Sequence, residues 1–145
     1  MLIREAVQED LFGLLELYIH LHDNPMPELD DGLQRLWEGM LNDQNHHILV
    51  GELAGKLVCS CAVVIVPNLT RGQRPYALIE NVITHPTHRK KGYASAVLDK
   101  AAMIAEKAGC YKIMLLTGAK EEGTLRFYER AGFNSRDKTA FIKWL

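Results

Sequence analysis

The feature that most constrains this fold is an unbroken helical pattern over residues 92–108, set between two apolar strand-like runs, Tyr76–Thr84 and 112–116. Ala94, Val97, Leu98, Ala101, Ile104, Ala105 and Ala108 recur on one helical face, and Gly109 stands just past the end, where glycine stops a helix. A helix linking two strands is a crossover, so those strands are expected to be parallel and the connection right-handed. The chain therefore needs a sheet that is at least partly parallel.

The remaining segments fill out that sheet. Leu2–Glu5 reads as a short strand, followed by a helix carrying Leu11, Leu14, Leu15, Tyr18 and Leu21. Pro25 and Pro27 stop it. A second helix places Leu29, Leu33, Leu36, Trp37, Met40 and Leu41 on one stripe. Residues 46–52 and Lys56–Val66 read as a hairpin turning at Leu53-Ala54-Gly55. The polar segment 67–75 is expected to be a mobile loop, 122–131 a short helix ended by Gly132, and 141–145 a last strand. The order β-α-α-β-β-β-α-β-α-β implies one α/β (α+β) domain, a mixed central sheet with helices on both faces.

At 145 residues a single domain over 1–145 is expected, with enough chain for a core that needs no metal or disulfide. Seventeen Lys and Arg against eighteen Asp and Glu leave a net charge of −1, which argues against a nucleic-acid coat. No apolar run reaches the ~18 residues of a membrane span, and the opening Met1-Leu2-Ile3-Arg4-Glu5 lacks a signal-peptide layout. Three cysteines, Cys59, Cys61 and Cys110, form neither a disulfide framework nor a zinc spacing, and Cys59 and Cys61 read as buried small hydrophobes. The expected setting is cytoplasmic, without nucleic-acid or membrane partners.

Chemistry concentrates between Val82 and Ser95. There a strand ends, Arg89, Lys90 and Lys91 follow in succession, and a helix begins at Gly92. A helix N-terminus presents unpaired backbone N–H groups and the positive end of the dipole, a natural seat for pyrophosphate. Gly92 removes a side chain where a phosphate must approach, and Ser95 adds a hydroxyl. The spacing is neither a Walker P-loop nor a Rossmann fingerprint. The bland alternative is a solvated basic helix start.

Arg89-x-x-Gly92-x-Ala94 resembles the Arg/Gln-x-x-Gly-x-Gly/Ala signature of the GNAT superfamily of acetyl-CoA-dependent N-acetyltransferases. The resemblance extends to Ile3-Arg4-x-Ala6 with Asp10-Leu11, to His85-Pro86, and to the segment Phe127-Tyr128-Glu129-Arg130-Ala131-Gly132-Phe133. Ile79-Glu80-Asn81 and Gly109-Cys110-Tyr111-Lys112-Ile113 are similar to the glucosamine-6-phosphate N-acetyltransferase branch, with Asn81 where that branch has a second acid. The resemblance implies acetyl-CoA as co-substrate, its pantetheine bonded to the backbone of Val82, Ile83 and Thr84. It implies the pyrophosphate in the loop and helix start from Arg89 and Lys90 through Lys91, Gly92, Tyr93 and Ala94 to Ser95.

Direct transfer to an amine needs a base, an oxyanion donor and an acid near the sulfur. The resemblance makes Tyr128 the acid and places the oxyanion donor at the backbone near Val82; the alternative for Tyr128 is a core aromatic. Glu80, inside an apolar strand, is a candidate base working through water, expected to be buried; the alternative is a carboxylate paired with Arg71 or Arg74. Many members carry an Asn after the strand ending at Leu116, and here Thr117 or Glu121 must replace or omit it.

None of the six histidines shows metal spacing, so no metal is expected. In this architecture the acceptor wall includes His22, Asp23, Asn24, Met26, Glu28 and Trp37, while Arg71 and Arg74 are a candidate anion site or solvated loop charges. The expected activity is N-acetylation of a small-molecule primary amine: an amino sugar, amino acid or polyamine. The alternatives are acetylation of a protein N-terminus or lysine, and a non-catalytic acyl-CoA-binding module. Phe141, Ile142 and Trp144 on an exposed last strand suggest a homodimer.

Overall fold

A computed structural model describes residues 1–22 and 24–145. Strands β1 (Leu2–Glu5), β2 (His46–Leu53), β3 (Lys56–Val66), β4 (Tyr76–Thr84) and β5 (Ile113–Leu115) form one sheet in that order. The first four pair antiparallel, whereas β4 and β5 are parallel and joined through helix α3 (Tyr93–Lys107). Helices α1 (Leu11–Tyr18) and α2 (Asp31–Asn42) precede β2, and α4 (Glu122–Arg130) follows β5. The expected order holds except at its end. Residues 134–145 form no helix or strand, because 141–145 finds no ladder partner in its own chain.

Alternation along the strands builds two cores. Leu49, Cys61, Val63 and Ile79 pack beneath Val97, Leu98, Ala101 and Ala105 of α3, with Phe127 and Tyr128 of α4 at the margin. Ile48 and Val50 point the other way, onto Leu14 of α1 and Trp37 of α2. Only part of the expected α2 stripe is inward: Leu29 lies before the helix, and it and Leu36 are exposed. Asp30 accepts a hydrogen bond from the Leu33 amide at 2.8 Å and so sets the start of α2. Gly51 is required by space, since a Cβ there would lie 2.3 Å from Cys59 Sγ. The Cys59 and Cys61 thiols are buried, with pKa values pushed up to about 11 and about 12, and behave as core atoms.

The segment 67–75 is tied down, contrary to expectation. Asn68 Nδ2 donates to the carbonyls of Thr70 and Arg74, and Arg74 donates to the Gly109 and Cys110 carbonyls past the end of α3. Arg71 lies over the Tyr111 ring. Both arginines therefore serve the end of the sheet where β4 begins, and neither pairs with Glu80.

Arg4 clamps the first strand to its neighbours. Its guanidinium bonds both carboxylate oxygens of Asp10, at 2.5 and 2.9 Å, and Glu52 at 2.8 Å. Asp10 also accepts from the Val7 amide. Hydrogen bonding from Arg4 holds the Asp10 carboxyl below its ordinary value of 3.8, outweighing burial, which acts the other way. The folded pKa is depressed, so the stabilisation is present above the unfolded value and is lost as pH falls through the folded one. Asp10→Asn should cost about 1–3 kcal/mol at neutral pH, since it leaves a charged donor short of its partner. Urea melts at pH 7 and at pH 3 check this, with the gap between variant and wild type narrowing in acid.

Candidate active site

The ladder between β3 and β4 loses register once. Ala62 faces Glu80 but Ser60 faces Ile83, so β4 carries one extra residue there. Asn81 absorbs the bulge with φ +54°, a left-handed conformation that Asn tolerates better than most side chains. On its other side β4 pairs with β5 only from Ala77 to Ile79. From Val82 to Thr84 the strand continues with no β5 beside it.

A cleft of about 650 Å³ opens in the space so left. Its walls are the end of β4, the start of α3 and one face of α4. Among the residues singled out in the sequence, Val82, Ile83, Thr84, Arg89, Lys90, Gly92, Tyr93, Ala94, Ser95 and Tyr128 all line it. Lys91 and Glu80 do not.

The cradle at the start of α3 is made by backbone. Lys90 and Gly92 both adopt left-handed φ, +61° and +80°, which turns successive amides toward a common concavity. No side chain caps the helix, so the first-turn N–H groups remain available to a ligand. A Cβ on Gly92 would meet nothing within 4 Å, so glycine is needed there for its φ and for the space kept clear. Arg89 ties the loop down, donating from Nε to the Thr84 carbonyl at 3.3 Å. Thr84 Oγ1 is buried without a hydrogen-bond partner among the described residues.

Tyr128 enters from α4, against Phe127 and Phe133 at ring-centroid distances of 5.0 and 6.2 Å. Burial pushes its pKa up, with nearby Cys61 adding to the effect, so its proton is retained at neutral pH. Glu80 contradicts expectation: it is exposed, and it makes no hydrogen bond or ion pair among the described residues. Its side chain faces the α1 side of the sheet, outside the buried cluster of Leu14, Trp37, Ile48 and Val50.

His88, Phe127 and Arg130 also line the cleft, and Gly123 and Thr124 are the cleft residues that the sequence reading does not name. Thr124 lies one helical turn before Tyr128, so counting back from the tyrosine locates it. His88 stacks on Tyr93, and His85 lies between His20 and His88 at 4.8 and 5.6 Å. His85 is held below the ordinary histidine value by burial first and then by its cationic neighbours. No group of three His, Cys, Asp or Glu among the described residues is placed to hold a metal.

The acceptor wall expected from the sequence is partly dismantled. Trp37 is buried, with its indole donating to the Gln8 carbonyl at 3.1 Å. Asn24 bonds the Tyr18 carbonyl, Met26 and Glu28 are exposed, and Asp23 lies outside the described residues. Thr117 accepts from the Ala119 amide, and Glu121 precedes α4; neither lines the cleft.

The model of the acetyltransferase (GNAT) family matches residues 13–133. The chain belongs to this family. A glucosamine 6-phosphate N-acetyltransferase from Trypanosoma brucei brucei is 30% identical over 142 residues, covering 94% of this chain and 90% of the relative. A structure from Agrobacterium tumefaciens str. C58, provisionally named an acetyltransferase, superposes with a TM-score of 0.91 at 39% identity, covering 99% of this chain and all of that one. A glucosamine-6-phosphate N-acetyltransferase from Arabidopsis thaliana shares the fold, with a TM-score of 0.85 at 24% identity and coverage of 99% and 97%.

This GNAT chain is an acyltransferase, and GNAT acetyltransferases use acetyl-CoA. The cleft suits such a molecule on its own evidence. An extended arm can lie along Val82–Thr84 as an added strand, the orphan Thr84 hydroxyl awaits a partner, and the α3 start accepts an anion.

Proposed function

We propose that this protein transfers the acetyl group of acetyl-CoA directly to a primary amine of a small molecule, with an amino sugar as the first choice of acceptor. The observation that carries the reading is the convergence of three elements on one cleft: the unpaired end of β4, the uncapped start of α3 and Tyr128. The amino-sugar choice draws on the named activity of the trypanosome relative. When bound, acetyl-CoA supplies an acetyl group activated as a thioester.

Each residue then has a task. The backbone of Val82, Ile83 and Thr84 bonds the amides of the arm, and the amides from Lys90 to Ser95 hold the pyrophosphate with Arg89 and Lys91 adding charge. The backbone N–H near Val82, freed by the bulge, stabilises charge on the carbonyl oxygen. The amine nitrogen bonds the carbonyl carbon as the carbon–sulfur bond breaks. Glu80 receives the amine proton through water, and its exposure and freedom from ion pairs suit that exchange. Tyr128 gives its phenolic proton to the departing sulfur.

Thiol release with glucosamine 6-phosphate, spermidine and a lysine peptide as acceptors, together with acetyl-CoA titration calorimetry, tests the reading. Turnover on the amino sugar supports it, turnover on the peptide alone moves the protein to protein acetylation, and binding without turnover overturns catalysis. Tyr128→Phe should keep acetyl-CoA affinity and lose about 10²-fold in kcat, and equal turnover would remove Tyr128 as the acid.

Gly92→Val probes the phosphate cradle separately. It strains a left-handed position by about 1–2 kcal/mol and places a branched side chain where the ligand approaches. Acetyl-CoA affinity should fall at least about tenfold, ~1.4 kcal/mol, and unchanged affinity would count against the cradle.

We also propose that two copies pair through their C-terminal segments. Phe141, Ile142 and Trp144 are 93%, 61% and 89% exposed, and β5 has one open edge flanked by the exposed Leu116 and Leu125. Each chain holds an apolar tail and an unfilled sheet edge that do not meet within the chain, so reciprocal exchange satisfies both. Sedimentation equilibrium should show a dimer that becomes monomeric when residues 138–145 are deleted. A monomeric full chain at micromolar concentration overturns the pairing.

A further inference from the structure

Three histidine rings meet where β4 ends, and the transfer chemistry uses none of them. His85 follows Thr84 directly, and its amide extends the ladder to the Val58 carbonyl at 2.9 Å. Its ring lies 4.8 Å from that of His20, in the turn after α1, and 5.6 Å from that of His88, which stacks on Tyr93 at the cofactor cleft. Thr87 organises the two that follow β4. Its Oγ1 is 2.9 Å from Nδ1 of both His85 and His88, and its amide donates to His85 Nδ1. A neutral ring whose Nδ1 accepts from an amide carries its proton on Nε2. His85 Nε2 is then a donor, and neither it nor the His20 ring has a hydrogen-bond partner among the described residues.

The charges around this cluster have one sign. The groups that act on His85 are His20, His88, Arg89 and Lys56, with no carboxylate among them. Glu52, across the ladder from Leu57, is held by Arg4, and Glu16 on α1 forms no ion pair among the described residues. No metal geometry is present among the described residues either. Donors gathered without a counter-charge suit an anion.

Position selects which anion. His20 follows α1, the helix on the sheet face where Glu80 is exposed, and neither His20 nor His85 lines the cofactor cleft. A pyrophosphate has its own cradle at the start of α3. Along the chain His85 is three residues past Val82, about 10 Å when extended, comparable to the span from amine to phosphate in a hexosamine 6-phosphate.

We infer that His20 and His85, with Lys56 beside them, seat a phosphate monoester carried by the acceptor, which makes the acceptor a phosphorylated amine. The inference rests on the transfer reaction proposed above and adds the acceptor's second point of attachment.

His20→Ala and His85→Asn in the full chain test this, with glucosamine 6-phosphate and glucosamine as paired acceptors. His20 is exposed, and asparagine keeps an acceptor for the Thr87 amide in place of His85 Nδ1. Wild type should favour the phosphorylated sugar by about tenfold or more in kcat/KM, mainly through KM. Each variant should erase most of that preference, with kcat/KM for glucosamine staying within about twofold of wild type. A wild type without preference overturns the inference, and so does an equal loss on both sugars, which would make the histidines braces for the loop. Calorimetry with acetyl-CoA and its 3′-dephospho form reads the other source of phosphate. Variants that bind the two alike, where wild type distinguishes them, assign the histidines to the cofactor and overturn the acceptor seat. If His85→Asn does not fold, His20→Ala decides alone. A wild type that acetylates no amine overturns the transfer reaction and this seat together, whereas turnover on spermidine alone overturns the seat and leaves the reaction standing.

Discussion

The site depends on where β4 stops being a full member of the sheet. Backbone N–H and C=O groups must be paired somewhere, and an interior strand normally spends them on both neighbours. Here β4 has a parallel neighbour for only Ala77–Ile79 and carries a bulge against its antiparallel one at Asn81. Its last residues therefore keep polar backbone free on one side beside the cleft, where a ligand or water completes the pairing. The bulge itself needs a residue able to hold φ near +54°, and Asn81 is such a residue.

The same departure organises the two faces. On one side α3 begins where β4 ends, so its amides and the basic loop close the cleft, and α4 brings Tyr128 against Phe127 and Phe133. On the other side α1 ends over the bulge, which brings the Tyr18 hydroxyl to Ser60 and Asn81. Arg4, Asp10 and Glu52 lie away from this chemistry and hold β1 against β2 and the turn that leads into α1.

Much of this was legible in the chain itself, and the reasons differ by residue. The helical run behind Gly92 and the two apolar strands beside it carry their own periodicity, so the crossover could be read directly. The basic loop and glycine before α3 could be read as an anion site because helix termini act locally. Glu80 is exposed where the sequence predicts burial, because apolar neighbours along a strand do not reveal which of its positions another element covers. Trp37 keeps its expected place on the inward stripe of α2 but not the one on the acceptor wall, because it fills the core. For Arg71 and Arg74 the sequence leaves an anion site, solvated charges and a pair with Glu80 all open, because nothing local shows that they reach Tyr111 and the carbonyls after α3.

Local properties, then, were set by the sequence alone: periodicity, helix starts and stops, the left-handed tolerance of Gly92 and Asn81, and the charge of the loop. Tertiary structure decided which side chains share the cleft, which carboxylate stays in water, and which hydroxyl is left buried without a partner. It also left 141–145 without a strand, because a strand exists only when another edge accepts its hydrogen bonds. Burial and pairing are relations between distant segments, and a single segment's composition carries no record of what will be packed against it.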